Sequence, residues 1–355
     1  MAADFVTNQE IIAQARRNLG QHVWDYLTGG AESETTMCRN RFALDSIGFR
    51  PRVLVDVSKI DASTTFLGHR LRIPVMLAPI GSLQLMTAEG AVAVAKAAHE
   101  FGTLNFVSSV TQPGLEETAA ATPQPKIFQL YVQGDMKWIE DLLTRVKKAG
   151  YQALCLTVDT AYYGRRERQM MDRWLPPSRR LSGYEHRAAL TWEIMDAIKK
   201  FAGLPFILKG VATAEDAALA IEHGVSAVYV SNHGGRQLDH NRGTIEMLPE
   251  IVEAVGGKAE VVLDGGIMRG SDVLKALALG AKAVAIGKLQ GWGLGAAGKE
   301  GLVRVLELLE SEIITTMGLL GITRVDQLKP VYLCKTQPIG PTHEMSAFPH
   351  MGRLV

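Results

Sequence analysis

Eight short apolar runs, each followed by a stretch that reads as a helix or loop, constrain this chain more than any other feature. The runs read as buried strands at Pro74–Ala78, Leu104–Ser108, Lys126–Leu130, Ala153–Val158, Pro205–Lys209, Ala227–Ser231, Glu260–Asp264 and Ala283–Ile286. Amphipathic, alanine-rich helices such as Glu89–Phe101, Met136–Ala149, Ala214–His223 and Gly270–Leu279 fill the gaps. Apolar strands without polar alternation belong to a parallel sheet covered by helices. Eight such units in ~250 residues are what an α/β TIM (β/α)8 barrel requires. A doubly wound open sheet competes, but no G-x-G-x-x-G follows the first strand, which weakens it.

The expected layout is a single domain over 1–355, with a helical segment at 1–69, the barrel at about 70–315 and a C-terminal arm at 326–355. Helical spacing of Ile11, Ile12, Ala15, Leu19, Val23, Trp24 and Leu27 predicts helices over 7–30, stopped by Thr28-Gly29-Gly30. The fourth and fifth strand starts, 153 and 205, stand about twice as far apart as most neighbouring starts. That gap holds Asp172–Ser182, rich in Arg and Pro, and a long loop on a barrel's active face is expected to be a lid or a disordered segment. From Val331 to Val355 the prolines Pro338, Pro341 and Pro349 suggest an extended arm, wrapped on a neighbouring subunit or disordered.

Composition narrows the partners. Lys+Arg 38 against Asp+Glu 37 leaves a net charge of +1, so bulk charge points to neither nucleic acid nor a membrane surface. No apolar run approaches the ~18 residues of a membrane span, and the first residues lack the pattern of a signal peptide. The three cysteines, Cys38, Cys155 and Cys334, are scattered and form no metal or disulfide framework, which suggests a reducing, cytoplasmic setting.

Function is read from polar residues at the strand ends, where barrel chemistry sits. Ser108-Ser109, Gln129 with Tyr131, Thr157 with Asp159, Lys209, Ser231 with His233, Asp264-Gly265-Gly266 and Gly287-Lys288 close seven strands in succession. One such residue is often a satisfied core group; seven on one face point to one site. The most telling run is Ser231-Asn232-His233-Gly234-Gly235-Arg236-Gln237-Leu238-Asp239. A histidine takes a proton near neutral pH, an arginine grips a carboxylate with two parallel hydrogen bonds, and glycines admit a flat or anionic ligand closely. Together they suggest proton abstraction from a small anionic substrate beside a cofactor. The glycine-rich ends of the seventh and eighth strands fit a phosphate grip by backbone N–H groups. Lys209 at the barrel mouth is a site cation or a snorkelling lysine, and Tyr162–Glu167 is part of the site or solvated charge. A metal set of His233, Asp239 and His240 is conceivable on residue type alone.

These motifs, with Tyr26 in Trp24-Asp25-Tyr26, Arg50-Pro51-Arg52, Gln129-Leu130-Tyr131, Leu156-Thr157-Val158-Asp159-Thr160, Gly164-Arg165-Arg166-Glu167, Leu208-Lys209-Gly210 and Leu263-Asp264-Gly265-Gly266, resemble the FMN-dependent (S)-2-hydroxy acid oxidase/dehydrogenase family from about residue 10 to about residue 325. The resemblance implies FMN as cofactor and oxidation of an (S)-2-hydroxy acid to the 2-oxo acid. It implies His233 as catalytic base, Asp159 as its partner, and Tyr131 on the reacting hydroxyl. Arg166, Arg236 and Tyr26 would hold the substrate carboxylate, and Lys209 would stabilise reduced flavin. Pro79, Ile80, Gly81, Ser108, Gln129, Thr157, Ser231, Asp264, Gly265, Gly266, Gly287 and Lys288 would contact the cofactor. It also implies electron transfer to oxygen or another acceptor, and a homotetramer or homo-octamer.

The chain departs from the family's pattern where it matters for the phosphate. Met268 and Lys288 stand where the family usually has arginines, so Arg269 is expected to move in. Gly81 stands where oxidases often carry alanine, which favours slow reaction with oxygen. Val110 stands where glycolate oxidase has a tryptophan; with Leu83 and Tyr163 it suggests room for a larger substrate side chain. The loop after the fourth strand is shorter than usual and lacks the apolar insert of membrane-bound members. Oxidative decarboxylation of the lactate 2-monooxygenase kind and a non-catalytic flavin-binding barrel stand as alternative functions.

Overall fold

The computed structural model describes residues 4–180, 183 and 185–354. The chain opens with helices α1 (Asn8–Asn18), α2 (Gln21–Thr28) and α3 (Thr35–Asp45). The first two fill the expected helical segment and break at Leu19–Gly20. The third was not foreseen, because its buried face mixes Thr36, Asn40 and Arg41 with Met37, Ala43 and Leu44. Apolar spacing cannot reveal a helix whose inward face is polar.

Eight parallel strands then close a barrel: β1 (Val75–Leu77), β2 (Asn105–Ser108), β3 (Lys126–Leu130), β4 (Ala153–Thr157), β5 (Phe206–Val211), β6 (Ala227–Val230), β7 (Glu260–Leu263) and β8 (Ala283–Ile286). Neighbours follow chain order, and β8 returns to β1 through Val284 opposite Val75 and Ile286 opposite Leu77. Side chains alternate between two cores, as the period of two requires. In β8, Ala283 and Ala285 point into the barrel while Val284 and Ile286 meet the helices; in β4, Ala153 and Cys155 point in.

An antiparallel hairpin, Thr64–Phe66 with His69–Leu71, adds fully buried Phe66 and Leu71 to the barrel interior. These large side chains join the small interior alanines to fill the barrel, while the wide cavity lies at the C-terminal strand ends.

The outer layer comprises α4 (Gly90–Phe101), α5 (Leu115–Ala120), α6 (Met136–Lys148), α7 (Glu167–Met171), α8 (Glu185–Ala188), α9 (Trp192–Ala202), α10 (Ala214–Glu222), α11 (Thr244–Val255), α12 (Gly270–Ala278) and α13 (Lys288–Leu320). The helix α13 is broken at Ala297–Gly298 and packs on α1, α4 and α12.

Between β4 and β5 the segment is structured through residue 180: α7 leads to a 3-10 turn at Pro177–Arg179, whose Ser178 N–H donates to Ser82 Oγ at 2.9 Å. It lies over the cavity as a lid; Ser182 falls outside the described residues.

The C-terminal segment is ordered through residue 354 and makes contacts within its own chain. Leu333–Lys335 pairs with Ile47–Phe49, and the chain then doubles back. Phe348 is buried edge-on to Trp292, and the His350 N–H donates to Gln9 Oε1 at 2.7 Å. An apolar anchor among the prolines holds the segment on its own subunit.

Candidate active site

At the end of β6 the backbone enters a left-handed run, with φ of +58° at His233, +66° at Gly234 and +77° at Gly235. Such a conformation is uncommon for a non-glycine residue. It is held by the His233 N–H on Ser231 Oγ at 3.0 Å and the Gly235 N–H on Asn232 Oδ1 at 3.1 Å. Asn232 is itself fixed by the amide of Asn40 on α3. A side chain at 235 would collide with the Met37 backbone at 2.5 Å.

The turn places His233 between two partners. Its Nδ1 lies 3.1 Å from both carboxylate oxygens of Asp159, and its Nε2 lies 3.2 Å from the Tyr131 hydroxyl. A carboxylate only accepts, so Nδ1 carries the proton and Nε2 presents its lone pair. Burial lowers the His233 pKa, outweighing the opposite pull of Asp159, with Lys209 and Arg166 adding to the lowering. Burial works against the charge on Asp159, but His233 and Lys209 win and keep its pKa low. The pair is therefore neutral imidazole beside carboxylate, which is the state a base needs.

Asp159 also meets a bulge. The β5–β6 register shifts between Lys209 and Val211, and Gly210 has φ +109°. A Cβ there would stand 2.7 Å from Asp159 Cβ, so glycine lets the strand pass. Beside it, buried Lys209 donates to Ser231 Oγ at 2.9 Å and lies 3.6 Å from Asp264. Ser231 in turn donates to Asp264 at 2.6 Å. Burial disfavours the ammonium, but Asp264 and Asp159 raise its pKa, so Lys209 stays charged.

Three arginines line the same end of the cavity: Arg166, Arg187 and Arg236. Arg236 is held by the carbonyls of Leu27 and Gly29, at 3.4 and 2.5 Å, with its guanidinium 5.4 Å from the Tyr26 ring centre. Arg166 donates to the Arg236 carbonyl at 3.3 Å and to the Tyr163 hydroxyl. Tyr26 donates to the Gly81 carbonyl at 2.8 Å. Burial and the neighbouring Arg166 push Arg236 down to about 10, still cationic at neutral pH. These groups offer paired guanidinium donors to a carboxylate.

The cavity wall also includes Pro79, Ile80, Gly81, Asp264, Gly265, Gly266, Gly287 and Lys288. Gly265 and Gly266 have φ of +97° and +81°, and Cβ atoms would press on Thr244 at 2.7 Å and Asn40 at 3.0 Å. Ser108, Gln129, Thr157 and Ser231 are buried. Gln129 donates to Thr157 Oγ1 at 2.8 Å, while its Oε1 is buried without a hydrogen-bond partner. Buried polar atoms are rarely orphaned; a ring with hydrogen-bonding edges would satisfy this one. The glycine cradle and the orphaned amide fit a flavin.

The residues expected to grip a phosphate are arranged differently from expectation. Arg269 is turned away, paired with Glu312 at 3.2 Å, and does not line the cavity. Glu312 sits on α13 beside Gly270 and captures it. Met268 lines the cavity as a buried apolar side chain. Lys288, at the first turn of α13, donates to the Thr28 carbonyl at 2.6 Å, and burial and Arg236 push it down to about 7. Asp239 and His240 do not join His233: Asp239 accepts from the Thr36 N–H and Ser33 Oγ, both at 2.7 Å, and fastens the start of α3. Leu83 is buried away from the cavity, whereas Val110 and Tyr163 line it.

The structure adds residues that sequence reading missed. Arg187 comes from α8, Ser178 from the lid and Glu344 from the doubled-back C-terminal segment; all three line the cavity. None stands at a strand end, so only the fold reveals them.

The model of the FMN-dependent dehydrogenase family matches residues 15–335. An L-lactate oxidase from Nostoc sp. is 40% identical over 347 residues, covering 90% of this chain and 95% of that protein. Glycolate oxidase from Spinacia oleracea is 40% identical over 340 residues, covering 89% and 92%. The crystal structure of mandelate oxidase superposes with a TM-score of 0.88 at 38% identity, covering 95% of this chain and 100% of that one. The barrel mouth with its histidine, arginines and glycine cradle thus lies inside a match along nearly the whole length, and the chain belongs to the FMN-dependent dehydrogenase family.

Proposed function

We propose that this enzyme oxidises an (S)-2-hydroxy acid to the 2-oxo acid, with His233 as the base. The observation that carries the reading is the His233 imidazole, neutral, backed through Nδ1 by Asp159 and facing the cavity beside Tyr131 and the arginines. Arg236 and Arg166 bind the substrate carboxylate, helped by Tyr26. Tyr131, whose pKa burial raises, stays protonated and orients the hydroxyl. His233 Nε2 takes a proton, and Asp159 stabilises the imidazolium. Charged Lys209 stabilises negative charge that develops on the cofactor.

FMN, when bound, accepts the two electrons that leave the substrate. Pro79, Ile80, Gly81, Ser108, Gln129, Thr157, Ser231, Lys209, Asp264, Gly265, Gly266, Gly287 and Lys288 are assigned to hold it; Arg269 is not among them. Oxygen is the proposed final acceptor, because the relatives and the structural neighbour are named oxidases. A cytoplasmic homotetramer completes the reading, and light scattering in solution checks the assembly.

The test is the visible spectrum of the purified protein under anaerobic conditions as (S)-2-hydroxy acids are added. Bleaching of the flavin band with formation of the 2-oxo acid is expected. A band that no acid bleaches rejects the reading, and release of CO2 in air replaces it with oxidative decarboxylation.

A further inference from the structure

We propose that Arg168 supplies the guanidinium for the FMN phosphate that Met268 and Lys288 do not, and that the Glu344 carboxylate holds that position until the phosphate displaces it. The inference rests on the assignment of Lys288 to the phosphate and names a second ligand beside it. The arginines expected there are missing or engaged elsewhere. Met268 is apolar, Arg269 pairs with Glu312, and Arg41, which lines the cavity, is held by Asp45 and Asp272. Lys288 itself is pushed down to about 7, so near neutral pH it is only partly charged.

Arg168, from α7, and Lys288, from α13, meet on one residue, Thr28 at the end of α2. Lys288 Nζ donates to the Thr28 carbonyl at 2.6 Å, and Arg168 Nη1 donates to the Thr28 hydroxyl at 3.3 Å. Gly29 permits the close passage, since a Cβ there would stand 3.2 Å from Arg168 Cδ. The other terminal nitrogen of Arg168, Nη2, carries two carboxylates: Glu34 at 2.5 Å and Glu344 at 3.4 Å. Of this group Lys288 and Glu344 line the cavity, whereas Arg168 and Glu34 do not. The Glu344 carboxylate therefore covers the guanidinium on its cavity side, an anion beside Lys288 where the phosphate is assigned.

The acids near this group are held unequally. Glu34 also accepts from the Gly30 N–H at 2.8 Å and stands at the start of α3. Asp239 is engaged by the Thr36 N–H and Ser33 Oγ. Glu344 keeps the longer contact with Arg168, and hydrogen bonds weaken at that length. It sits between a largely exposed stretch, 336–343, and the Phe348 anchor, so its side chain leaves the cavity without undocking Phe348. A phosphate beside Lys288 repels the Glu344 carboxylate and takes its place on Arg168, whose planar fork suits phosphate oxygens. The Glu34 bond, the shorter of the two, persists through the exchange.

The experiment titrates apoprotein with FMN and with riboflavin, which lacks the phosphate, and reads the flavin fluorescence. Glu344→Gln is expected to tighten FMN about fivefold, the effect of one like charge removed at a wet cavity wall, and to leave riboflavin unchanged. Arg168→Gln is expected to weaken FMN about tenfold or more, the worth of one charge-assisted hydrogen bond, and again to spare riboflavin. That loss persists when Arg168→Gln is combined with Glu344→Gln, because the guanidinium acts on the phosphate and not only on Glu344. Arg168→Lys, which keeps the charge and loses the fork, falls between. A loss absent from Arg168→Gln or abolished in the double variant overturns the proposal. Equal losses for FMN and riboflavin, or unchanged FMN affinity in Glu344→Gln, overturn it as well. If Lys288→Met still weakens FMN relative to riboflavin in that case, the Lys288 assignment stands; an unchanged ratio in Lys288→Met overturns both.

Discussion

Three local features suit His233 to the proposed role of base: a left-handed turn aims the ring, Asp159 fixes its tautomer, and burial favours the neutral form. Replacing it with glutamine keeps the volume but removes the basic nitrogen. We expect His233→Gln to slow flavin reduction by ~10²–10⁴-fold while FMN stays bound, measured by stopped-flow absorbance. The lowered pKa sets a sign for pH dependence. The base is active when neutral, so kcat/KM should fall with decreasing pH along a limb centred below the ordinary histidine value of 6.5. The same depression makes the unfolded chain bind the proton first. Its contribution to stability is full above 6.5 and is lost as pH falls through the lower folded value. A limb centred above 6.5 in the free enzyme would assign it to another group.

At the scale of elements, the first turn of α13 carries the cofactor question. Helix N-termini favour anions, and Lys288 stands there in a buried pocket with Arg236, Arg168, Glu344 and Glu34 as charged neighbours. Its pKa of about 7 without a bound anion means that above pH 7 phosphate binding must draw a proton onto the amine. We expect FMN affinity to fall by up to about tenfold per pH unit above that point. Lys288→Met should flatten the dependence. Quenching of flavin fluorescence on titration of apoprotein reads both, and an unchanged slope in the variant would remove Lys288 from the phosphate site.

The whole molecule depends on how distant segments close over the barrel. The hairpin fills its interior, the lid covers the mouth, and the C-terminal segment returns to α1 and α13. Phe348 is the anchor of that return, 2% exposed and edge-on to Trp292. Truncating a buried aromatic typically costs about 3 kcal/mol or more. Phe348→Ala should therefore lower stability by about 3 kcal/mol in urea melts at fixed FMN concentration. It should also loosen Glu344 at the cavity wall. A loss below about 0.5 kcal/mol, the range of surface changes, would mean the segment is not docked.

The barrel was legible in the chain because a strand buried on both faces must be apolar along its length, and eight such runs leave few architectures open. The strand-end residues were legible for the same reason: His233, Lys209 and Asp159 interrupt patterns that packing alone would keep apolar. The Arg269–Glu312 pair, the Lys288 contact with Thr28 and the arrival of Arg187 and Glu344 at the cavity were not. Each depends on residues far apart in sequence meeting through tertiary packing, where competing partners and burial decide which way a long cationic side chain turns. Local pattern thus determined the scaffold and the polar residues at the strand ends, whereas only the folded chain decided which charged side chains from other segments meet at the cavity.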